Sequence, residues 1–159
     1  MMLRFCVKYP GGQGALFSTR RPCGAEMTAR KYRIMVVDDD ESVLTTYRLI
    51  LEQNGYEVAG ASSFDEALRV LETSKVDLLL CDLSLGDEGT GFDVIEHALR
   101  LQPGLPSLLL TGYVGQDISD RARSLGSLAL SKPIAIQEFL GVIRAHLENR
   151  PGQAETIGQ

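Results

Sequence analysis

From Arg33 onward the chain alternates short, nearly continuous apolar runs with segments in which apolar residues recur every three or four positions. The runs Arg33 to Asp38, Glu57 to Ala61, Asp77 to Asp82, Ser107 to Thr111 and Leu128 to Ser131 are of strand length and mostly unalternating, as strands covered on both faces should be. Between them lie stripes of helical period: Val43, Tyr47, Ile50 and Leu51; Phe64, Ala67, Leu68 and Leu71; Phe92, Ile95 and Leu99; Ile118, Ala122 and Leu125; Ile136, Phe139, Leu140, Ile143 and Leu147. Strand and helix in strict alternation predict five βα units with right-handed crossovers: an α/β domain built on a doubly wound, five-stranded parallel sheet. Ser63, with Glu66 three residues later, predicts a capping box, and Gly55 and Gly126 stand where a helix wants a left-handed C-cap.

Residues 1–30 break this pattern. Pro10, Gly11, Gly12, Gly14, Pro22 and Gly24 interrupt every apolar stretch, so the segment is expected to be a disordered extension outside the core, or an over-extended start with Met27 as the true first residue. It lacks the continuous apolar stretch of a secretory signal. The domain is expected over residues 31–149, followed by a polar tail over 150–159 that is too short for a DNA-binding or catalytic output domain.

A chain of 159 residues, 44% of them hydrophobic, is sized for one domain with its own core. No apolar run approaches the roughly 20 residues of a membrane span, so no membrane association is expected. The net charge of −5 hides an asymmetry: five of the 16 basic residues but only one of the 21 acidic ones precede residue 31, leaving 11 against 20, or −9, for the remainder. That balance disfavours a nucleic-acid partner. Cys6, Cys23 and Cys81 show no metal-binding or disulfide spacing, which fits a reducing cytoplasm.

The chemistry lies at the ends of the strands. Asp38, Asp39, Asp40 and Glu41 occupy the junction of the first strand and its helix. Acids favour a helix N-terminus, and this accounts for Asp40 and Glu41. Asp82 closes the third strand, Thr111 the fourth, and Lys132 the fifth. In an open parallel sheet these carboxyl ends share one edge, where ligands bind beside the reversal of strand order. Clustered carboxylates cannot all remain ionised without a compensating cation. Oxygen donors with room for water suit Mg2+, and neither His97 nor His146 falls at a strand end to favour zinc; both histidines are expected at solvated helix positions. A carboxylate nucleophile, a divalent cation and a lysine together suit phosphoryl transfer to an aspartate.

With these residues in place, residues 31–149 resemble the receiver domain of two-component response regulators, of the stand-alone, single-domain type. The resemblance implies a flavodoxin-like sheet of order 2-1-3-4-5. It implies a phosphoacceptor at Asp82 and an acid pocket of Asp38 and Asp39, with Asp39 as direct metal ligand. Ser84 would offer its backbone carbonyl to Mg2+, Thr111 and Lys132 would bind phosphoryl oxygens, and the Lys132–Pro133 bond would be cis. The implied partners are a histidine kinase or a histidine phosphotransfer protein, an unidentified downstream protein and a second copy of the chain in a homodimer, with output through the downstream protein or by onward phosphorelay. The only chemistry implied is self-phosphorylation and autodephosphorylation.

This chain also departs from the common family pattern. Its loop from Leu83 to Gly91 is slightly long and carries Gly86 where a proline usually stands, with Gly91 expected to retain the turn into the next helix. Ser84 and Tyr113 hold positions at which the family varies the access of water. Ala129 replaces the aromatic residue that often rotates with the threonine, so coupling should run through Thr111 and its loop to the face of the fourth and fifth helices. Cys81 is expected to be a buried apolar residue. The alternative is a receiver-like interaction module that works without phosphorylation. A flavin carrier conflicts with the acids after the first strand, and a phosphohydrolase lacks a second acid two residues past Asp82, where Ser84 stands.

Overall fold

The computed structural model describes residues 30–86 and 89–149. The expected extension, apart from Arg30, and the expected polar tail lie outside the described residues. The fold consists of β1 (Arg33–Val37), α1 (Glu41–Gln53), β2 (Glu57–Ala61), α2 (Phe64–Thr73), β3 (Leu78–Asp82), α3 (Gly91–Leu101), β4 (Ser107–Thr111), α4 (Gln116–Ser124), β5 (Leu128–Ser131) and α5 (Ile136–Glu148). The five strands are parallel in the order β2-β1-β3-β4-β5, as expected. Two boundaries move by one residue. β1 ends at Val37, although the Asp38 N–H still reaches the Ala61 carbonyl (3.2 Å), and β3 begins at Leu78.

Successive residues of a strand face opposite sides of the sheet, and here both sides are covered. Met35, Val37, Leu79, Cys81 and Leu109 pack beneath α2, α3 and α4 with Ala67, Leu71, Phe92, Ile95 and Ala122. Ile34, Val36, Leu78, Leu80 and Leu108 meet α1 and α5 through Leu51, Phe139, Ile143 and Leu147. This double coverage is why the central strands read as continuous apolar runs, and each fully buried aliphatic side chain contributes about 1.5–3 kcal/mol.

Helix starts follow local chemistry. Asp40 caps α1 by accepting the Ser42 N–H at 2.8 Å, as its place in the acid run suggested. Gly55 and Gly126 take positive φ after α1 and α4. The box expected at α2 is only half formed. Ser63 accepts the Glu66 N–H, but the Glu66 carboxylate turns back to the N–H and hydroxyl of Ser62, one residue before the cap. The reciprocal box is at α3, where the Thr90 hydroxyl accepts the Asp93 N–H and the Asp93 carboxylate accepts the Thr90 N–H at 2.8 Å. The bonds from the Thr90 side chain and backbone hold the Asp93 carboxyl below its ordinary range. A depressed carboxylate stabilises the fold above its unfolded pKa and loses that contribution as pH falls through its folded value. Asp93→Ala should therefore cost about 1 kcal/mol at neutral pH, with the difference from wild type shrinking in urea titrations as pH falls below the ordinary carboxylate range.

The histidines are not simply solvated. His97 is partly buried on α3, with Nε2 3.8 Å from Glu72 of α2, and His146 places Nδ1 2.9 Å from the Val142 carbonyl. Among the described residues, no helix is long and apolar enough to cross a membrane.

Candidate functional site

The chain moves outward from β1 to β2 and then returns past β1 to β3, so the strand order reverses between β1 and β3. Val37 is in register with Cys81, which sets Asp38 beside Asp82 at the carboxyl edge of the sheet. Asp39 stands next to them, and one carboxylate oxygen from each of Asp38, Asp39 and Asp82 lies within 4.8 Å of the others. Asp38 and Asp82 are buried, at 3% and 8% exposed, while Asp39 faces solvent.

Lys132 enters from β5, beyond β4, where its N–H is held by the Thr111 carbonyl at 2.7 Å. A four-carbon stem lets its ammonium cross that gap. Nζ lies 2.8 Å from Asp82 Oδ1 and 3.1 Å from Asp38 Oδ2. Burial alone would lower its pKa, but the bonds to Asp82 and Asp38 outweigh burial and hold the ammonium above its usual range. Burial raises the Asp82 carboxyl; Lys132 pulls it back and Asp38 pushes it up, so it remains above the ordinary carboxylate range. Both shifts have one origin: two buried carboxylates share a single ammonium.

With Asp39 included, three carboxylates face one ammonium, a formal charge of −2. The donors are all hard oxygens, and the solvent-facing Asp39 leaves room for water. A divalent oxygen-seeking cation balances both the charge and the donor chemistry of this set.

The remaining expected site residues share this edge. The Ser84 N–H donates to Asp82 Oδ2 at 3.2 Å, orienting the carboxylate. Thr111 is buried, and its hydroxyl is engaged by the backbone of Tyr113: it donates to the Tyr113 carbonyl at 3.2 Å and accepts the Tyr113 N–H at 3.3 Å. The structure thus brings together Asp38, Asp39, Asp82 and Lys132, and leaves the Thr111 hydroxyl on its own loop. The Lys132–Pro133 bond is cis. Cys81 is fully buried, and burial, followed by the charges of Asp82 and Asp38, raises its thiol well above the ordinary range, as an inert core cysteine requires. Ala129 is half-buried against the core at the aromatic position.

Two glycines shape the loop after Asp82. Gly86 has φ of +82°, which a proline cannot adopt, so this loop follows a path closed to relatives with proline there. Gly91 does not supply the expected turn. It is the first residue of α3, and a Cβ there would stand 2.4 Å from the Asp82 carbonyl oxygen and 2.8 Å from Leu109 Cδ1. The glycine is needed for close approach of α3 to the strand that carries Asp82. Gly91→Ala should displace the first turn of α3 from the Asp82 carbonyl and cost about 1–3 kcal/mol, measurable by denaturant titration, with the Asp82 environment altered in NMR spectra.

In the sequence Tyr47 belongs only to a helical stripe. It is half-buried, its ring 5.0 Å from that of Phe139, and burial raises its hydroxyl pKa. With Val43, Pro133 and Ile134 it lines an open cleft of about 510 Å3 beside Lys132. The signal available in sequence was its place two turns beyond the acid run.

Residues 34–144 match the family described as response regulator receiver domain. The transcriptional regulatory protein GlrR of Escherichia coli is 35% identical over 109 residues, a match that takes in 68% of this chain and 24% of that protein, so the chain spans about a quarter of that relative's length. A response regulator receiver domain protein from Methanospirillum hungatei superposes with a TM-score of 0.72 at 32% identity, covering 76% of this chain and 97% of that one. The non-phosphorylated HemR receiver domain from Leptospira biflexa gives 0.68 at 34% identity, covering 74% and 94%. Strand order, the acids at the switch point and these matches agree: the chain belongs to the receiver domain family of response regulators.

Proposed function

We propose that Asp82 accepts a phosphoryl group from a phosphohistidine on a kinase or phosphotransfer protein, and that the phosphorylated chain signals to a partner protein or passes the group on. The family is one of signalling modules rather than catalytic enzymes. The observation that carries the reading is the Lys132 ammonium shared between Asp82 and Asp38 at the carboxyl edge of the sheet.

In this reading a carboxylate oxygen of Asp82 forms the new O–P bond as the donor's N–P bond breaks, and the imidazole leaves. Lys132, already at Asp82 Oδ1, follows the transferred group as a point charge on its oxygens. The Thr111 hydroxyl exchanges its Tyr113 backbone bonds for a phosphoryl oxygen. Asp38, Asp39, Asp82 and the Ser84 carbonyl would hold Mg2+, which supplies neutralisation of phosphoryl charge when bound. Residues 31–149 are the working unit, placed in the cytoplasm, where kinase and acceptor can meet.

The test is titration with beryllofluoride, an acyl-phosphate mimic, followed by NMR with and without Mg2+. Mg2+-dependent shifts at Asp82, Thr111 and Lys132 support the reading. Their absence favours an interaction module that works without phosphorylation.

A further inference from the structure

We infer that Arg121 is a tether coupling α4 to the acceptor strand, and that it must yield when Asp82 is occupied; the inference rests on the phosphoacceptor reading above. The Arg121 guanidinium carbon lies 4.4 Å from the centroid of the Phe92 ring, and its Nη2 is 3.2 Å from Glu96 Oε1. Phe92 and Glu96 are four residues apart, so they present an aromatic face and a carboxylate on one side of α3. The guanidinium is seated on the first and held by the second.

What lies beneath this seat gives it meaning. Phe92 is buried and directly follows Gly91, whose backbone packs on the Asp82 carbonyl and whose N–H donates to the Leu83 carbonyl at 2.9 Å. The anchor of α4 is therefore one residue from a glycine in contact with the acceptor's own backbone. Apart from Arg121, α4 is held by one short apolar side, where Ile118 packs on the core cluster beside Ala122. Ala122 is its buried residue, its N-cap Gly115 makes no side-chain bond, and Gln116, Asp120 and Arg123 bond within the helix. The loop leading into α4 is closed by the Thr111 hydroxyl on Tyr113. When that hydroxyl turns to a phosphoryl oxygen, the loop loses two bonds, and α4 can follow against its short apolar side and the Arg121 contact.

A ligand shifts such an equilibrium only through interactions that differ between its states, so removing a contact made in the resting arrangement should ease activation. An exposed ion pair and a cation–π contact are each modest, and losing both should lower the half-saturating beryllofluoride concentration about five-fold. The experiment compares wild type, Arg121→Ala, Arg121→Lys and Glu96→Gln, each in Mg2+. It measures beryllofluoride titration by NMR and hydrogen exchange of α4 amides without beryllofluoride. Arg121→Ala should exchange faster and saturate earlier. Glu96→Gln should move half-saturation about two-fold in the same direction, and Arg121→Lys should fall between Arg121→Ala and wild type. Faster exchange with unchanged or higher half-saturation means a merely structural contact and overturns the coupling. Unchanged exchange in Arg121→Ala overturns the tether. A wild type blind to beryllofluoride removes the phosphoacceptor reading and the coupling built on it, while the exchange measurement still decides whether the tether exists.

Discussion

Asp82→Asn should reduce Mg2+-dependent labelling by a small phosphodonor to background, while the wild type carries label that hydroxylamine removes, as it does from an acyl phosphate. The amide keeps the shape of the side chain and its bond from the Ser84 N–H but cannot act as the nucleophile. The same substitution should leave the fold at least as stable as wild type at neutral pH without divalent cation. The native Asp82 carboxyl is raised above its ordinary range, chiefly by burial. A raised acid means that the folded state binds the proton more tightly than the unfolded chain, so stability falls as pH rises through that range. Asparagine removes this penalty, and Lys132 retains Asp38 as partner. Undiminished labelling in the variant would place the acceptor elsewhere. A large loss of stability would mean that the Asp82 charge supports the fold rather than opposing it.

Much of this was legible in the chain because two periodicities are hard to confuse when they alternate. Apolar runs such as Leu78 to Cys81, buried on both faces, and the i, i+3, i+4, i+7 stripe at Phe64, Ala67, Leu68 and Leu71 specify element type, and alternation specifies a parallel sheet. The proximity of Asp38 and Asp82 then follows from their strand-end positions. The rest depends on approach distance and competition among donors, which residue order does not encode. Gly91 reads as a turn glycine, yet its role is to let α3 contact the Asp82 carbonyl. Ser63 and Glu66 have capping-box spacing, but the longer Glu66 side chain finds Ser62 first, whereas the shorter Asp93 fits Thr90. His97 lies on a helix, as expected, but its exposure depends on how α2 packs against α3. The meeting of Arg121 with Phe92 likewise depends on the placement of α4 beside α3.

Lys132→Ala should produce the largest stability change at the site, and one that a divalent cation reverses. Without the ammonium, two buried carboxylates and the neighbouring Asp39 have no compensating charge from that residue. Breaking a buried pair from one side costs about 3–5 kcal/mol, but the Lys132 side chain is 26% exposed, so water relieves part of this and about 2–3 kcal/mol is expected. A ligand that binds only the folded state stabilises it by mass action, and the variant site carries one more unit of negative charge than wild type. Added Mg2+ should therefore raise the urea midpoint more in Lys132→Ala than in wild type, closing most of the gap between them. Labelling should stay slow even in saturating Mg2+, because the point charge that would follow the transferred group is gone. Lys132→Arg separates the two roles. It restores a positive charge and hence much of the stability, but its planar fork replaces a compact ammonium between Asp38 and Asp82, so labelling should remain impaired. If Lys132→Ala is as stable as wild type in the presence of a chelator, the shared ammonium is not what allows these carboxylates to sit together.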